Sequence, residues 1–441
     1  MTTAFLQVML SLAAGIALIV LLTAKYRVHA FFALFLACFV VGLGVQLPVN
    51  DIITAMKEGF GNILKSLGFI IVLGTMLGVI LEHTGSTQVM AAFILRLVGE
   101  RFAAAAMGIT GFIVGLPIFC DSGYIVLSGL NKSVARRTGI SIITMSVSLA
   151  AGLYAVHCLI PPHPGATAAA GILGADLGKL ILTGITVAIL PTIVGCWWAH
   201  YAGSKIQAGD NDEVHTSREI PDMPVWKAFL PVLVPIVLIA IGAFSDMEKS
   251  ASGAGTLFHL LGNPVIALLI GVILAFLSAP AWDRHTTGQL MTEAVEKAGS
   301  ILVIIGAGGA FGAVLAGTRI GEHFSEALHL GSLGIIFPFL LASLLKTAQG
   351  SSTVAIITAA SVIQPLLPAL GLDSETGRLL CMLALGGGSM MISHANDAYF
   401  WVISKFSGLE MKAMLKVYSV ATVLMGITTL VIVYVLSLFL L

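Results

Sequence analysis

The sequence predicts an all-α membrane protein with many spans, built from two inverted-topology repeats that each contain a re-entrant-type hairpin and a broken helix. Hydrophobic residues make up 58% of the 441 residues and charged residues only 10%, whereas a typical soluble domain is roughly 25% charged. Apolar runs of about 20 residues, long enough to cross a bilayer, recur along the chain. Patterns in the first half also recur in the second half at one constant spacing, which indicates the repeats.

The apolar runs define twelve candidate membrane spans. The first run, from Phe5 to Ala24, follows no lysine-bearing segment and has no small-residue cleavage site, so we expect a retained span rather than a signal peptide. The predicted spans are 4–24, 29–47, 63–82, 102–118, 139–157, 177–200, 228–245, 261–279, 299–316, 332–346, 377–393 and 417–441.

A polar segment between the sixth and seventh spans divides the chain. It runs from Lys205 to Lys227 and is the most polar part of the sequence. We therefore predict an N-terminal transmembrane repeat at 1–204, a polar linker at 205–227 and a C-terminal transmembrane repeat at 228–441. Lysines and arginines concentrate in short loops on the linker's side, and such loops are usually cytoplasmic, so we expect a cytoplasmic linker.

An internal repeat supports this division. Any single match is weak in such an apolar sequence, but two separated regions share one register. A shift of about 234 residues aligns His29–Leu34 with Asn263–Leu268 and Gly74–Gly78 with Gly308–Gly312. If residues 102–137 enter and leave the bilayer on one side as a hairpin, each half crosses five times. An odd number of crossings inverts the second repeat, which is typical of secondary transporters with broken helices.

Two polar stretches interrupt the apolar runs of the first half. Asp121 and Ser122 lie at the expected turn of the hairpin, and an intramembrane carboxylate usually faces a cavity or a partner because its burial is costly. His157 and His163 flank a break made by three prolines within residues 161–164, where no helix can continue. Imidazole exchanges protons near neutral pH, so both histidines suit proton coupling or anion binding.

Two further stretches occupy the matching positions of the second half. Gln349 precedes the hydroxyl-rich run Ser351–Ser352–Thr353, which we expect at the tip of a second hairpin, where free backbone N–H groups can bind an anion. Asn396 and Asp397 follow Gly386–Gly388, three glycines that each disfavour helix by about 1 kcal/mol. We expect a second helix break there, with Asn396 and Asp397 as ligands.

Each of these stretches also has a purely structural interpretation. The hairpin tips could be exposed loops, the histidines could be structural, and Asp397 could simply cap a helix. The run Gly306–Gly312 follows no strand, so it favours helix packing over dinucleotide binding. No cluster has metal-site spacing, and Lys plus Arg equals Asp plus Glu at 22 each, which gives no basic face for nucleic acid. We therefore expect no catalytic residues, no metal, no cofactor and no nucleic-acid partner.

At these motifs the sequence resembles the gluconate permease family, the gluconate:proton symporters, over essentially its whole length. The residues that carry the resemblance are His157–Gly165, Gly174–Gly178, Ile304–Phe311 and Ser393–Trp401. The resemblance implies a multi-pass protein of the inner (cytoplasmic) membrane, a transporter rather than an enzyme, and a homodimer. Its partners would be a small carboxylate substrate, protons and the lipid bilayer.

One departure from the family pattern concerns the substrate. Many members have a glutamate followed by Val-Gly-Phe, whereas this chain has Asp121-Ser122-Gly123-Tyr124. We expect symport of gluconate or a related sugar acid with protons, and D-serine, glycerate or another small hydroxy or amino acid is the alternative. Sodium coupling and a membrane-embedded enzyme are further alternatives. Matching breaks in both halves favour transport, because alternating access needs them.

The expected roles divide the candidate residues into two groups. The carboxylate of the substrate should bind to helix N-termini and to hydroxyls near Ser122 and Ser351–Thr353. The hydroxyl groups of the substrate should form hydrogen bonds with Gln349, Asn396 and His163. Asp121 should carry the coupled proton. The alternatives are Asp397 and a histidine such as His157. Neutralising a carboxylate removes the cost of moving it across an apolar barrier.

Overall fold

The computed structural model describes residues 3–205, 221–245, 260–278, 283–319, 333–394 and 397–441. Every regular element in these ranges is a helix. Seven helical stretches among them are long and apolar enough to cross a membrane, or eight if a bent pair is counted as one span. The predicted all-α polytopic class is therefore confirmed, whereas the inverted orientation of the repeats and the three domain bounds stay predictions.

The first half contains nine helices between residues 3 and 205, the part of it that the structure describes. A π-helical turn, Leu21–Lys25, extends the first of them, and a 3₁₀ turn, Glu100–Phe102, precedes the fifth. They are α1 (Thr3–Val20), α2 (Ala30–Gly44), α3 (Val49–His83), α4 (Ser86–Val98), α5 (Ala103–Gly115), α6 (Cys120–Thr138), α7 (Ile142–Leu159), α8 (Pro164–Leu173) and α9 (Leu177–Gly203).

The second half has nine helices within its described residues. A 3₁₀ turn, Gln364–Leu366, follows the fifth of them, and a π-helical turn, Leu415–Ser419, joins the last two. They are α10 (Val225–Ser245), α11 (Pro264–Ser278), α12 (Arg284–Gly317), α13 (Ile336–Gln349), α14 (Ser352–Ile363), α15 (Glu375–Met390), α16 (Ala398–Ser407), α17 (Met411–Met414) and α18 (Val420–Leu440).

Helix bounds in the two halves recur at one spacing. α2 begins at Ala30 and α11 at Pro264, 234 residues later. α8 and α16 start and end 234 residues apart, at Pro164–Leu173 and Ala398–Ser407. The register that aligned sequence motifs therefore also aligns the secondary structure, including both helix breaks.

Several helices are too short to cross the bilayer. α5 has 13 residues, which is about 20 Å at 1.5 Å per residue, against a hydrocarbon core of about 30 Å. α13 and α14 have 14 and 12 residues. α5 and α6 are joined by a turn at 116–119, and α13 and α14 by a turn at 350–351. These turns lie at or next to the predicted hairpin tips.

The helix breaks also match their predicted positions, with one correction. α7 ends at Leu159 and α8 begins at Pro164, so the proline-rich stretch forms the connection. Gly386–Gly388, expected to help break the second helix, instead lie inside α15, and the break follows Met390. A Cβ on Gly388 would lie 2.3 Å from the carbonyl oxygen of Phe339. These glycines therefore permit close helix packing, which outweighs their low helix propensity.

α7 forms the centre of the molecule. Every residue from Ile143 to Leu159 is buried, and the helix packs mainly against α5 and α9. The approach to α5 is so close that a Cβ on Gly152 would lie 2.1 Å from the carbonyl oxygen of Gly108. This buried helix fixes the position of His157 and of the break that follows it.

Candidate functional site

Four helix N-termini meet around a cavity of about 480 Å³. The first residues of α6, α8, α14 and α16 are Cys120, Pro164, Ser352 and Ala398, and all four line the cavity. Two of these helices begin at hairpin tips and two begin at helix breaks. Helix N-termini present free backbone N–H groups and partial positive charge, so the cavity has the properties of an anion site.

The structure brings eight of the ten predicted site residues to this cavity, from four distant segments of the chain. They are Asp121, Ser122, His157, Gln349, Ser351, Ser352, Thr353 and Asp397. Of the other two, Asn396 lies outside the described residues, and His163 is not among the residues that line the cavity.

Asp121 lies in the first turn of α6. Phe119 is the N-cap residue, with extended backbone and no capping side chain, so the turn relies on its backbone, where the Gly123 N–H donates to the Phe119 carbonyl at 2.8 Å. Oδ1 of Asp121 is buried and has no hydrogen-bond partner within the described part of the chain. The cavity thus contains a carboxylate oxygen that is free to accept a proton or a donor group.

His157 and His163 lie close together but in different environments. Their ring centroids are 5.0 Å apart, and the His157 ring stacks on Tyr154 with centroids 6.4 Å apart. Nδ1 of His157 has no partner among the residues the structure covers. Nε2 of His163 donates to the carbonyl of Gly115 at 2.7 Å. This hydrogen bond joins the start of α8 to the end of α5 and keeps His163 behind the cavity wall.

The second hairpin tip supplies hydroxyls and an amide. Gly350 has φ of 81°, a left-handed conformation that favours glycine and ends α13. Ser351 then caps α14, because its hydroxyl accepts from the Val354 N–H at 3.3 Å. Gln349 is 8% exposed, and neither atom of its amide group has a partner among the described residues. One donor group and one acceptor are therefore available at the cavity wall.

Asp397 has three hydrogen-bond partners among the described residues. Its Oδ1 accepts from the Tyr399 N–H at 3.0 Å and so caps α16, as the structural interpretation expected. Its Oδ2 accepts from Nζ of Lys346 at 2.6 Å and also from the hydroxyl of Ser393. Lys346 is 0% exposed and donates a second hydrogen bond to the carbonyl of Gly350 at 2.6 Å.

Lys346 is the main functional candidate that sequence analysis missed. It falls on the last residue of the predicted span 332–346, where a lysine is usually placed at the membrane surface. The available signal was its position four residues before Gly350, inside the short arm of a hairpin, where a buried charge requires a partner. Its ammonium group also lies 5.9 Å from the ring centroid of Tyr154.

Tyrosines and one segment of α12 complete the cavity. Tyr154 and Tyr399 line it and stack with centroids 5.6 Å apart, and Tyr418 packs behind both. From α12, Lys297 reaches the cavity together with its neighbours Ser300 and Ile301. Lys297 forms an ion pair with Glu293 at 2.6 Å. Sequence analysis assigned none of these residues a role at the site.

Comparison with known proteins agrees with this architecture. The model of the GntP family permeases matches residues 7–439. A gluconate permease of Pseudomonas aeruginosa is 34% identical over 435 residues, which cover 96% of each chain. The Gnt-II system L-idonate transporter of Escherichia coli is 30% identical over 94% of this chain and 96% of its own. The D-serine transporter DsdX of Escherichia coli is 30% identical over 94% of this chain and 95% of its own.

A solved structure shares the fold. It is that of MtrF of Neisseria gonorrhoeae, described as illuminating a class of antimetabolite efflux pumps. It superposes with a TM-score of 0.67 over 94% of this chain and 96% of that one, at 15% sequence identity. At this identity the similarity establishes the arrangement of helices and carries no information about the transported molecule.

Proposed function

This chain belongs to the GntP family of permeases, and from that premise we propose that it imports a small hydroxylated carboxylate, gluconate or a related sugar acid, in symport with protons. The family consists of permeases, so the protein is a transporter and not an enzyme. Its apolar spans and its relatives make it a multi-pass protein of the inner membrane.

The meeting of four helix N-termini at one cavity is the observation that carries the proposal. A carboxylate placed there would accept hydrogen bonds from backbone N–H groups and from the hydroxyls of Ser122 and Ser351–Thr353. The cavity volume of about 480 Å³ lies within the range of small-molecule sites. The site therefore suits a small anion that is bound mainly by backbone N–H groups and hydroxyls.

The unpartnered amide of Gln349 suits the hydroxyl groups of a sugar acid. A hydroxyl both donates and accepts, so it can satisfy the amide oxygen and the amide nitrogen together. Asn396 stays a predicted second contact. For His163 we propose a supporting role through its hydrogen bond to Gly115 in place of direct contact with substrate.

Proton coupling is supported by the acids of the cavity. Asp121 and Asp397 both line it, together with His157, and a proton taken up by a carboxylate would lower the cost of carrying that group and an anion through the bilayer. Homodimer formation, expected from the family resemblance, stays a prediction.

D-serine is the second candidate substrate. The unpartnered Oδ1 of Asp121 could accept a hydrogen bond from an ammonium group, while the helix N-termini bind the carboxylate. Two relatives at 30% identity are named D-serine transporters. A sugar acid offers no such cation to Asp121, so the two substrates should respond differently to Asp121→Asn.

The test is uptake into proteoliposomes that contain the purified protein. With an imposed pH gradient, acidic outside, we expect accumulation of labelled gluconate that is recovered unmodified. Unlabelled L-idonate, glycerate and D-serine serve as competitors and rank the substrates. Uptake that follows a sodium gradient and ignores the pH gradient would contradict proton symport. If none of gluconate, L-idonate and glycerate, each supplied in labelled form in turn, were taken up, the proposed substrate class would be contradicted.

A further inference from the structure

A buried ion pair lies directly behind the cavity wall. Nζ of Lys346 donates to Oδ2 of Asp397 at 2.6 Å and to the carbonyl of Gly350 at 2.6 Å. Asp397 and Gly350 line the cavity, whereas Lys346 is not among the lining residues. The cation is therefore one hydrogen bond away from two groups that a bound molecule would contact.

Resting on the proposed function, we propose that Lys346 is the counter-charge for the substrate carboxylate and that Asp397 controls it by taking up the coupled proton. While Asp397 is ionised, the charge of Lys346 is neutralised within the pair. When a proton neutralises Asp397, the charge of the ammonium group acts on the cavity. Proton binding and anion binding then favour each other, and by linkage the effect is reciprocal.

The two oxygens of Asp397 have separate functions in this scheme. Oδ1 holds the N-terminus of α16 through the Tyr399 N–H at 3.0 Å. Oδ2 faces Lys346 and the hydroxyl of Ser393. A proton on Oδ2 leaves the helix cap in place, so the ion pair can change without loss of the helix break that shapes the cavity.

The distances set the size of the coupling. A carboxylate that accepts a hydrogen bond from protonated Asp397 would lie about 6 Å from Nζ of Lys346, since two hydrogen bonds separate them. At an effective dielectric constant of about 20, two unit charges about 6 Å apart change a binding constant on the order of a hundredfold. The pair is thus able to make anion binding strongly dependent on protonation.

Other titratable groups face Asp397 from the elements packed around it. Cys120 and Asp121 of α6, Tyr154 and Cys158 of α7, and Tyr418 of the turn before α18 all interact with its charge. Of these groups and Lys346, the lysine alone is a cation. Lys297 also lines the cavity, but it forms an ion pair with Glu293 at 2.6 Å, so Lys346 is the cation whose charge is neutralised by Asp397. Asp121 is the rival proton acceptor and therefore serves as the comparison variant.

Isothermal titration calorimetry with gluconate, at several pH values and in two buffers of different ionisation enthalpy, tests the proposal. It yields the Kd and the number of protons taken up for each gluconate bound. For the wild-type protein we expect uptake of about one proton and a Kd that rises up to about tenfold per pH unit while Asp397 is ionised. Lys346→Met should weaken binding about a hundredfold at acidic pH, where Asp397 is neutral and the ammonium charge is the difference between the two proteins. Asp397→Asn should bind gluconate as tightly at alkaline pH as the wild type does at acidic pH, without proton uptake.

Two further variants serve as controls. One controls for misfolding caused by an unpaired buried charge, and the other for unspecific effects of removing a lysine. The double variant Lys346→Met with Asp397→Asn leaves no unpaired buried charge and should bind weakly at every pH. Lys179→Met removes a lysine whose Nζ lies 2.5 Å from a carboxylate oxygen of Glu375. Neither residue lines the cavity, so this variant should behave like the wild type.

Three results would overturn the inference. The first is a Kd for gluconate and a pH dependence in Lys346→Met that equal those of the wild type. The second is the same finding in the double variant. The third is loss of proton uptake in Asp121→Asn while Asp397→Asn still takes up a proton. A wild-type protein that binds none of gluconate, L-idonate, glycerate and D-serine at any pH would instead refute the proposed function, and the inference with it.

Discussion

Replacement of Gln349 by methionine should stabilise the empty protein and weaken substrate binding. Gln349 is 8% exposed, and its amide oxygen and nitrogen have no partner among the described residues. A buried polar group without a partner costs about 1–3 kcal/mol. Methionine has a similar length and no amide, so we expect the free energy of unfolding of the empty protein to rise by about 1–3 kcal/mol.

The same substitution removes contacts from the complex. A neutral hydrogen bond contributes about 1 kcal/mol net, so the loss of one or two bonds to substrate hydroxyls should raise the Kd for gluconate about 5- to 30-fold. Thermal unfolding in detergent measures the stability, and calorimetric titration measures the Kd. Stability should therefore rise while affinity for gluconate falls.

Gln88 provides the matched control for this experiment. It is also buried, at 4% exposure, but its Oε1 accepts from the hydroxyl of Thr87 at 2.9 Å and it does not line the cavity. Gln88→Met should therefore lower the unfolding temperature and leave the Kd unchanged. If Gln349→Met lowered the unfolding temperature and left the Kd unchanged, the assignment of its amide to the substrate would be refuted.

Three further predictions concern capping, support and packing. Ser351→Ala removes the cap of α14, and we expect about 1 kcal/mol lower stability together with weaker gluconate binding. Ser374→Ala removes the cap of α15, away from the cavity, and should lower the stability but leave the Kd unchanged. Thermal unfolding and calorimetric titration measure both variants. His163→Phe breaks a buried hydrogen bond and should cost about 1–3 kcal/mol of stability with little change in Kd, whereas a much larger Kd at unchanged stability would indicate direct contact with substrate. Gly152→Leu should abolish the monodisperse peak in size-exclusion chromatography, because its Cβ would lie 2.1 Å from a backbone oxygen. Gly61→Ala, with open space at that position, should be neutral or stabilising by up to about 1 kcal/mol, and equal behaviour of the two glycine variants would contradict the packing argument.

The position of the cavity could be predicted from the cost of polar groups in apolar surroundings. Asp121, Ser351 and Asp397 each interrupt a long apolar run, and each occurs where the structure places a helix N-terminus. Such residues are retained in a membrane only when they have a partner or a cavity. That argument needs only the local sequence, so it could single out these residues without knowledge of the fold.

The partners within the site could not be predicted in the same way. Lys346 pairs with Asp397 across 51 residues, and the local pattern around Lys346 does not identify Asp397 as its partner. The proline pattern placed His163 at the helix break, but only the fold turns its ring toward the carbonyl of Gly115. Contacts of this kind depend on how distant helices pack.

The helices show a similar division. Each predicted span overlaps a helix of the structure, since a long apolar run has few alternatives in a bilayer. Hydropathy did not predict α4, which makes a bend of 108° with the helical segment that follows it. It also placed the start of a span at residue 63, whereas α3 begins at Val49. The early part of α3 contains Asp51 and Lys57, so its helicity is not visible to a measure of hydrophobicity.

The pairing of Lys346 with Asp397 has a consequence for the response to membrane voltage. The pair carries no net charge, and a monovalent anion that enters with one proton adds none, so the empty and loaded sites carry equal charge. An elementary charge moved through the full potential is worth about 2.3 kcal/mol per 100 mV, and this energy is neither gained nor lost when the charge of the site stays constant. Transport through such a site would draw its energy from the pH gradient and be indifferent to the electrical potential, even in a cell whose membrane is strongly polarised.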